Sequence, residues 1–125
     1  MGTSVISAAV RAIESVLAEL EVAGISATRD AGAFYPQPAG VLVGLPTLVG
    51  RLMSARTFEI PVLVVSGDPL NSELAVDRIY ALADDCALAL ATDRYRPSSW
   101  RSTVNSEPLP AVELTVTVTV TETEA

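Results

Sequence analysis

Apolar and polar residues alternate without a fault near the end of this chain. Val112, Leu114, Val116, Val118 and Val120 fall on one side of the pattern, and Glu113, Thr115, Thr117, Thr119 and Thr121 on the other. Side chains on a strand alternate faces, so the pattern predicts a half-buried strand over Val112–Thr121. At roughly 3.3 Å per residue it would run about 33 Å, longer than a common strand. Such a strand needs neighbours: either the sheet is large for the domain, or part of the strand reaches another subunit. The Thr side has two readings, a solvated face or a subunit interface. An alternating Val/Thr edge left bare would be an aggregation hazard, which favours a partner covering or extending it.

Elsewhere the period changes. Ile6, Ala9, Val10, Ile13, Val16, Leu17 and Leu20 recur at steps of three and four, predicting a helix from about Ser4 to Ala23 with that set buried. Thr3 or Ser4 can cap its start, and Gly24 stands where a left-handed residue would end it. Ile25–Arg29 reads as a short strand, Ala31–Ala39 as a loop containing Phe34 and Tyr35, and Gly40–Leu45 as a strand that Pro46 ends or bends. Thr57–Val65 is the next strand, with Phe58, Ile60, Val62 and Val64 on one face. Leu63 and Val65 make its far end apolar on both faces. Pro61 lacks a donor, which places an edge or a bulge there. The Thr47–Arg56 connection is either a loop or the tip of a hairpin.

After a Ser66–Pro69 turn comes a second helix reaching about Ala91. It is capped by Asp68 or by Asn71, and Ala75, Ile79, Leu82, Ala83, Cys86 and Leu90 form its buried stripe. Thr92–Ser99 reads as a polar linker, Trp100–Val104 as a strand, Glu107–Pro110 as a turn and Glu122–Ala125 as a frayed tail. The order α-β-β-β-α-β-β predicts a single α+β domain over residues 1–125, a mostly antiparallel sheet with two helices packed on one face.

Composition narrows the chemistry. The 125 residues include 15 Asp and Glu against 8 basic residues, a net charge of −7. That balance argues against a surface that grips nucleic acid. All the basic residues are Arg; there is no Lys and no His. Without His the most common general base and metal ligand is missing, and no Ser-His-Asp or Cys-His arrangement can be assembled within the chain. One cysteine, Cys86, allows neither an internal disulfide nor a multi-Cys zinc site. The N-terminal residues lack a signal-peptide pattern and the myristoylation pattern, and no apolar run is long enough to span a bilayer.

The candidates that remain are contacts rather than catalysts. Asp84 and Asp85 diverge by about 100° on a helix, so they read as a solvated face. Cys86 on the apolar stripe reads as a core residue with nothing to generate its thiolate. Gly40, Gly44 and Gly50 match no phosphate-binding spacing. Arg94, Tyr95, Arg96, Trp100 and Arg101 cluster in one short stretch, and Arg, Tyr and Trp are enriched at interface cores. With Arg51 and Arg56 of the connection, and Thr115, Thr117 and Thr119 of the terminal strand, they form the set of candidate subunit or partner contacts. The bland alternative is a surface loop with Tyr95 and Trp100 tucked over the core.

Two stretches, P-A-G-V-L-V-G-L-P (Pro38–Pro46) and F-E-I-P-V-L-V-V-S-G-D (Phe58–Asp68), together with the T-V-T-V terminal strand, resemble the tail-terminator proteins of long-tailed phages infecting actinobacteria. The likeness spans most of the chain, and neighbouring connector families share much of it. It implies a small α+β subunit of a hexameric ring in the virion neck, made in the host cytoplasm. Such a ring caps the growing tail tube, stops its polymerisation and docks onto the filled head. Its implied partners are further copies of itself, the tail-tube subunits and the head-completion or connector proteins. DNA passes through the lumen without sequence-specific binding. The resemblance carries no catalytic residue, cofactor or metal. Two other readings stand beside it: a different neck component, such as a stopper or adaptor, and a small non-catalytic binding module. An enzyme is disfavoured, since no His, Lys, paired carboxylates or cofactor motif is present.

Overall fold

The computed structural model describes residues 5–34, 36, 39–67, 73–101 and 108–121. The elements follow as α1 (Val5–Val22), β1 (Ala27–Thr28), β2 (Ala39–Val43), β3 (Thr47–Leu52), β4 (Ala55–Ser66), α2 (Glu73–Leu90), β5 (Tyr95–Trp100) and β6 (Leu109–Thr121). This is the expected α+β order, with one strand added inside the Thr47–Arg56 connection. The expected N-terminal caps of both helices, Tyr35, the 102–104 part of the expected strand, Glu107 and the tail lie outside the described residues.

The six strands form one mixed sheet in the order β1-β2-β4-β6-β5, with β3 also on β4. Only β1 and β2 run parallel; every other pairing is antiparallel. The frame is the β4–β6 pair, in register from Ala55↔Thr121 to Val65↔Ala111. Phe58, Ile60, Val62 and Val64 of β4 and Val112, Leu114, Val116 and Val120 of β6 are buried in the core shared with both helices. Burying side chains of this size stabilises by roughly 1.5–3 kcal/mol each. The alternation read from the sequence is thus realised, although β6 begins at Leu109, before Val112. The expected turn at Leu109–Pro110 is strand, because the β4 ladder ends at Ala111 and Pro110 withholds no donor from it.

Three expectations are corrected. Ile6 is 78 % exposed and Val10 37 % exposed, where the period places both inside. The face of α1 turned inward runs through Ala8, Ala12, Ile13, Val16 and Leu20. Alanines let a helix come close, so the stripe sits slightly around from the one the larger side chains marked. Second, Tyr95–Trp100 is a strand rather than a linker. It pairs along β6 at the outside of the sheet, and Pro97 is tolerated because its missing donor faces away from β6.

Third, Pro61 marks neither a sheet edge nor a bulge in β4. β2 covers one side of β4 from Val62 to Ser66 and β3 covers the same side from Ala55 to Glu59. Pro61 stands where one half-length neighbour gives way to the other. Its carbonyl accepts from the Gly44 N–H at 2.7 Å, so its nitrogen faces the same corner and no ladder bond is lost. A Cβ on Gly44 would lie 2.7 Å from Pro61 Cγ, so only glycine fits the corner.

Gly24 ends α1 as expected. It has φ +80, Ile25 N–H donates to Leu20 O, and Gly24 N–H donates to Glu21 O. That pair of bonds is the Schellman closure.

Candidate interaction surface

The face of the sheet turned away from the helices is divided. At one end Val65, Leu109 and Ala111 form a second, smaller apolar cluster with Phe34, Leu63 and Trp100. The Phe34 and Trp100 rings meet edge to face at 5.0 Å. At the other end the same face is polar. Arg96 Nε donates to Glu113 at 2.8 Å and Arg94 Nη1 to Glu59 at 2.7 Å. The Thr57 and Thr119 hydroxyls meet at 3.1 Å.

The proposed contact residues do not form one patch. Arg94 and Arg96 are on this polar face, engaged with carboxylates of their own chain. Thr115, Thr117 and Thr119 lie on the same face, Thr115 half-buried and the other two exposed. Tyr95 points to the helix side, edge to face with Tyr80 of α2 at 6.3 Å. Trp100 is half-buried in the small cluster, and Arg101 is exposed just beyond β5. Arg51 is exposed on β3, directly across from Arg56, which is buried on the helix side of β4 opposite Val120.

The edge of the sheet is more telling than any one side chain. β5 covers β6 only from Leu109 to Leu114. The Thr115 N–H still donates to Arg94 O at 2.9 Å, and the Thr115 carbonyl accepts from the Thr92 hydroxyl at 2.7 Å. The alternation then directs the N–H and C=O groups of Thr117, Thr119 and Thr121 to the same side. Among the described residues no strand pairs there. The outer side of β3 is likewise without a neighbour among them. Open edges of this kind are templates for another strand.

Of the two readings of the Thr47–Arg56 connection the hairpin is the one observed, but sequence reasoning did not single out its exposed apolar side chains. β3 and the turn around it expose Leu45 (82 %), Val49 (51 %), Leu52 (75 %) and Met53 (93 %). A signal was present: no Asp or Glu occurs between Asp30 and Glu59, while Arg51 and Arg56 do. In an acidic chain this is a cationic, apolar projection.

Cys86 is fully buried, and its thiol is pushed up to about 11, by burial first and the Asp85 carboxylate second. Among the described residues no three His, Cys, Asp or Glu side chains gather as a metal site. No described helix is long and apolar enough to cross a membrane. The fold and surface define an α+β domain with a half-covered sheet. No protein-family model, curated protein or solved structure matches the chain.

Proposed function

We propose that this chain is a structural ring subunit, a phage tail terminator that caps the tail tube and joins it to the head. The observation that carries the reading is the β6 edge beyond Thr115, which no strand covers among the described residues, on a strand whose valines are committed to the core. A chain that extends a buried strand past its last neighbour leaves hydrogen-bonding groups that another subunit can complete. Ring assembly uses two different patches per subunit, and closes when the rotation between copies permits. The net charge of −7 suits a lumen through which DNA slides without being held. The role needs no catalytic group and no cofactor; its partners are further copies, tube subunits and a head-side connector, in the virion neck.

Light scattering and electron microscopy of the purified protein, alone and with tail-tube subunits, test this. Six-fold rings seated on tube ends are expected. Rings that ignore tubes but bind a portal–adaptor complex would move the assignment to another neck component. A monomer that ignores both would sink it.

A further inference from the structure

The hairpin between β3 and β4 has a tip that costs the fold energy. Leu52 pairs with Ala55, so Met53 and Ser54 form a two-residue loop. Met53 has φ +53, and Ser54 is not among the positive-φ residues. Positive φ at the first loop position alone is the type II′ arrangement, at which glycine is the usual residue. A left-handed backbone strains a residue with a side chain. Here the strained residue is a methionine 93 % exposed, next to Leu52 at 75 %. Neither side chain repays that strain by burial within its own chain.

Beside the C-terminal ends of both helices lie two adjoining depressions, of about 780 and 470 Å³, that share Ala23 and Ala89. Their apolar lining includes Val22 (90 % exposed) and Leu88 (82 % exposed). Glu19 lines one and Asp85 the other, and no Arg lines either. α1 and α2 both end beside this groove without a basic residue in the last turn. Each helix C-terminus adds partial negative charge there. The groove is therefore apolar at its base and negative at its rim. The hairpin tip, with Leu52, Met53 and Arg51, is apolar and positive.

One chain cannot satisfy itself. The tip sits at the Ala55 end of β4, whereas the groove borders Ala39 and Val41, which pair with Ser66 and Val64. The α2 end of the groove is nearer, since Thr92 just beyond it bonds to Thr115 opposite Pro61. About six to ten residues of paired strand therefore separate tip and groove, about 20–30 Å at roughly 3.3 Å each. The strand ladder holds that separation rigid.

We propose that the Arg51–Met53 hairpin tip of one copy seats in the α1–α2 groove of a second copy. Leu52 and Met53 lie on Val22, Ala23, Leu88 and Ala89, and Arg51 faces Glu19 and Asp85. The contact is heterologous, so each copy uses its tip on one neighbour and its groove on the other. The β6 edge that is open among the described residues lies at the same end of the ladder, across β4 from β3. This deepens the ring reading by naming the residues of a subunit joint, and it rests on that reading only for closure into a ring.

The test uses the full chain. Met53→Gly puts Gly-Ser into a type II′ turn, so its melting temperature is expected to equal or exceed that of wild type. Its oligomer mass, by light scattering, is expected to collapse to that of the monomer. Leu88→Asp at the exposed groove is expected to do the same. When the two variants are mixed, the Met53→Gly chain keeps a groove and the Leu88→Asp chain keeps a tip. The mixture is expected to stop at a one-to-one dimer. Assembly of Met53→Gly at wild-type mass, a monomeric wild type, or no dimer in the mixture overturns the joint. If Met53→Gly still forms rings on tubes, the joint fails and the ring reading stands. If the mixture dimerises but wild type never caps tubes, the joint stands and the terminator reading fails.

Discussion

The two halves of the β4–β6 pair are built from the same alternating pattern and meet different surroundings. In the half from Val62 to Ser66 and from Leu109 to Leu114, β2 and β5 cover both edges. That half is packed on one face by the helices and on the other by the Phe34–Trp100 cluster. In the half from Ala55 to Ile60 and from Val116 to Thr121, the helix side is still core. The other face there carries threonines and the Arg94–Glu59 ion pair, and the β6 edge is open among the described residues. Burial of one face is enough to hold a strand in register. What the second half lacks is lateral closure, and closure distinguishes a sheet that ends from one that can be continued.

Core substitutions should affect both halves alike. Ile60→Ala, at a fully buried position, is expected to lower unfolding free energy by about 2–5 kcal/mol in denaturant titration. A loss below about 1 kcal/mol would mean the open half is not part of the core. Proline separates the two sides of β6. The Val116 amide faces β4, so Val116→Pro should destabilise the single chain by about 3 kcal/mol. The Thr119 amide faces the open edge, so Thr119→Pro should leave the melting temperature nearly unchanged while weakening assembly. If the two prolines were equally damaging, the edge would be closed by something within the chain.

Cys86 offers a pH probe of the helix-covered side. Its thiol sits at about 11 rather than 9.0, so the folded state holds a proton that the unfolded chain releases. Stability from this group is present below about pH 9 and lost as pH rises toward 11. The difference is worth roughly 2–3 kcal/mol. Chemical denaturation of wild type and Cys86→Ala at about pH 8 and about pH 11 should show a steeper decline in wild type. Parallel declines would mean that the thiol titrates alike in both states. The smallest effect belongs to the polar face. Arg94 is exposed, and Arg94→Ala should cost about 0.2–1 kcal/mol, less at high salt. A larger cost in the isolated chain would make the ladder structural rather than a surface feature.

The long elements were legible because one-sided burial writes a period into the residues. The β6 alternation and the Ala75–Ile79–Ala83–Cys86–Leu90 stripe of α2 came through directly. β5 did not. Its residues face solvent on one side and include Pro97, so an edge strand carries the marks of a loop. The candidate surface was legible in part. Arg51, Thr117 and Thr119 do lie on exposed ground, whereas Thr115 is half-buried and Arg56 buried, and charge alone cannot tell which side of a strand a residue takes. Leu52 and Met53 went unnoticed because a short apolar run reads as core until the hairpin is seen to project.

The Gly44–Pro61 corner gives the chain a kind of interchangeability. β2 and β3 are read independently by β4, and the register shift between Leu48 and Gly50 is absorbed inside β3. The Met53–Ser54 loop pairs with neither β4 nor β6, so its residues can vary without disturbing the ladder that anchors the domain. The hairpin is a cassette: related chains could carry different tips on one scaffold, each matched to its own socket, and exchange of the cassette would exchange the choice of neighbour.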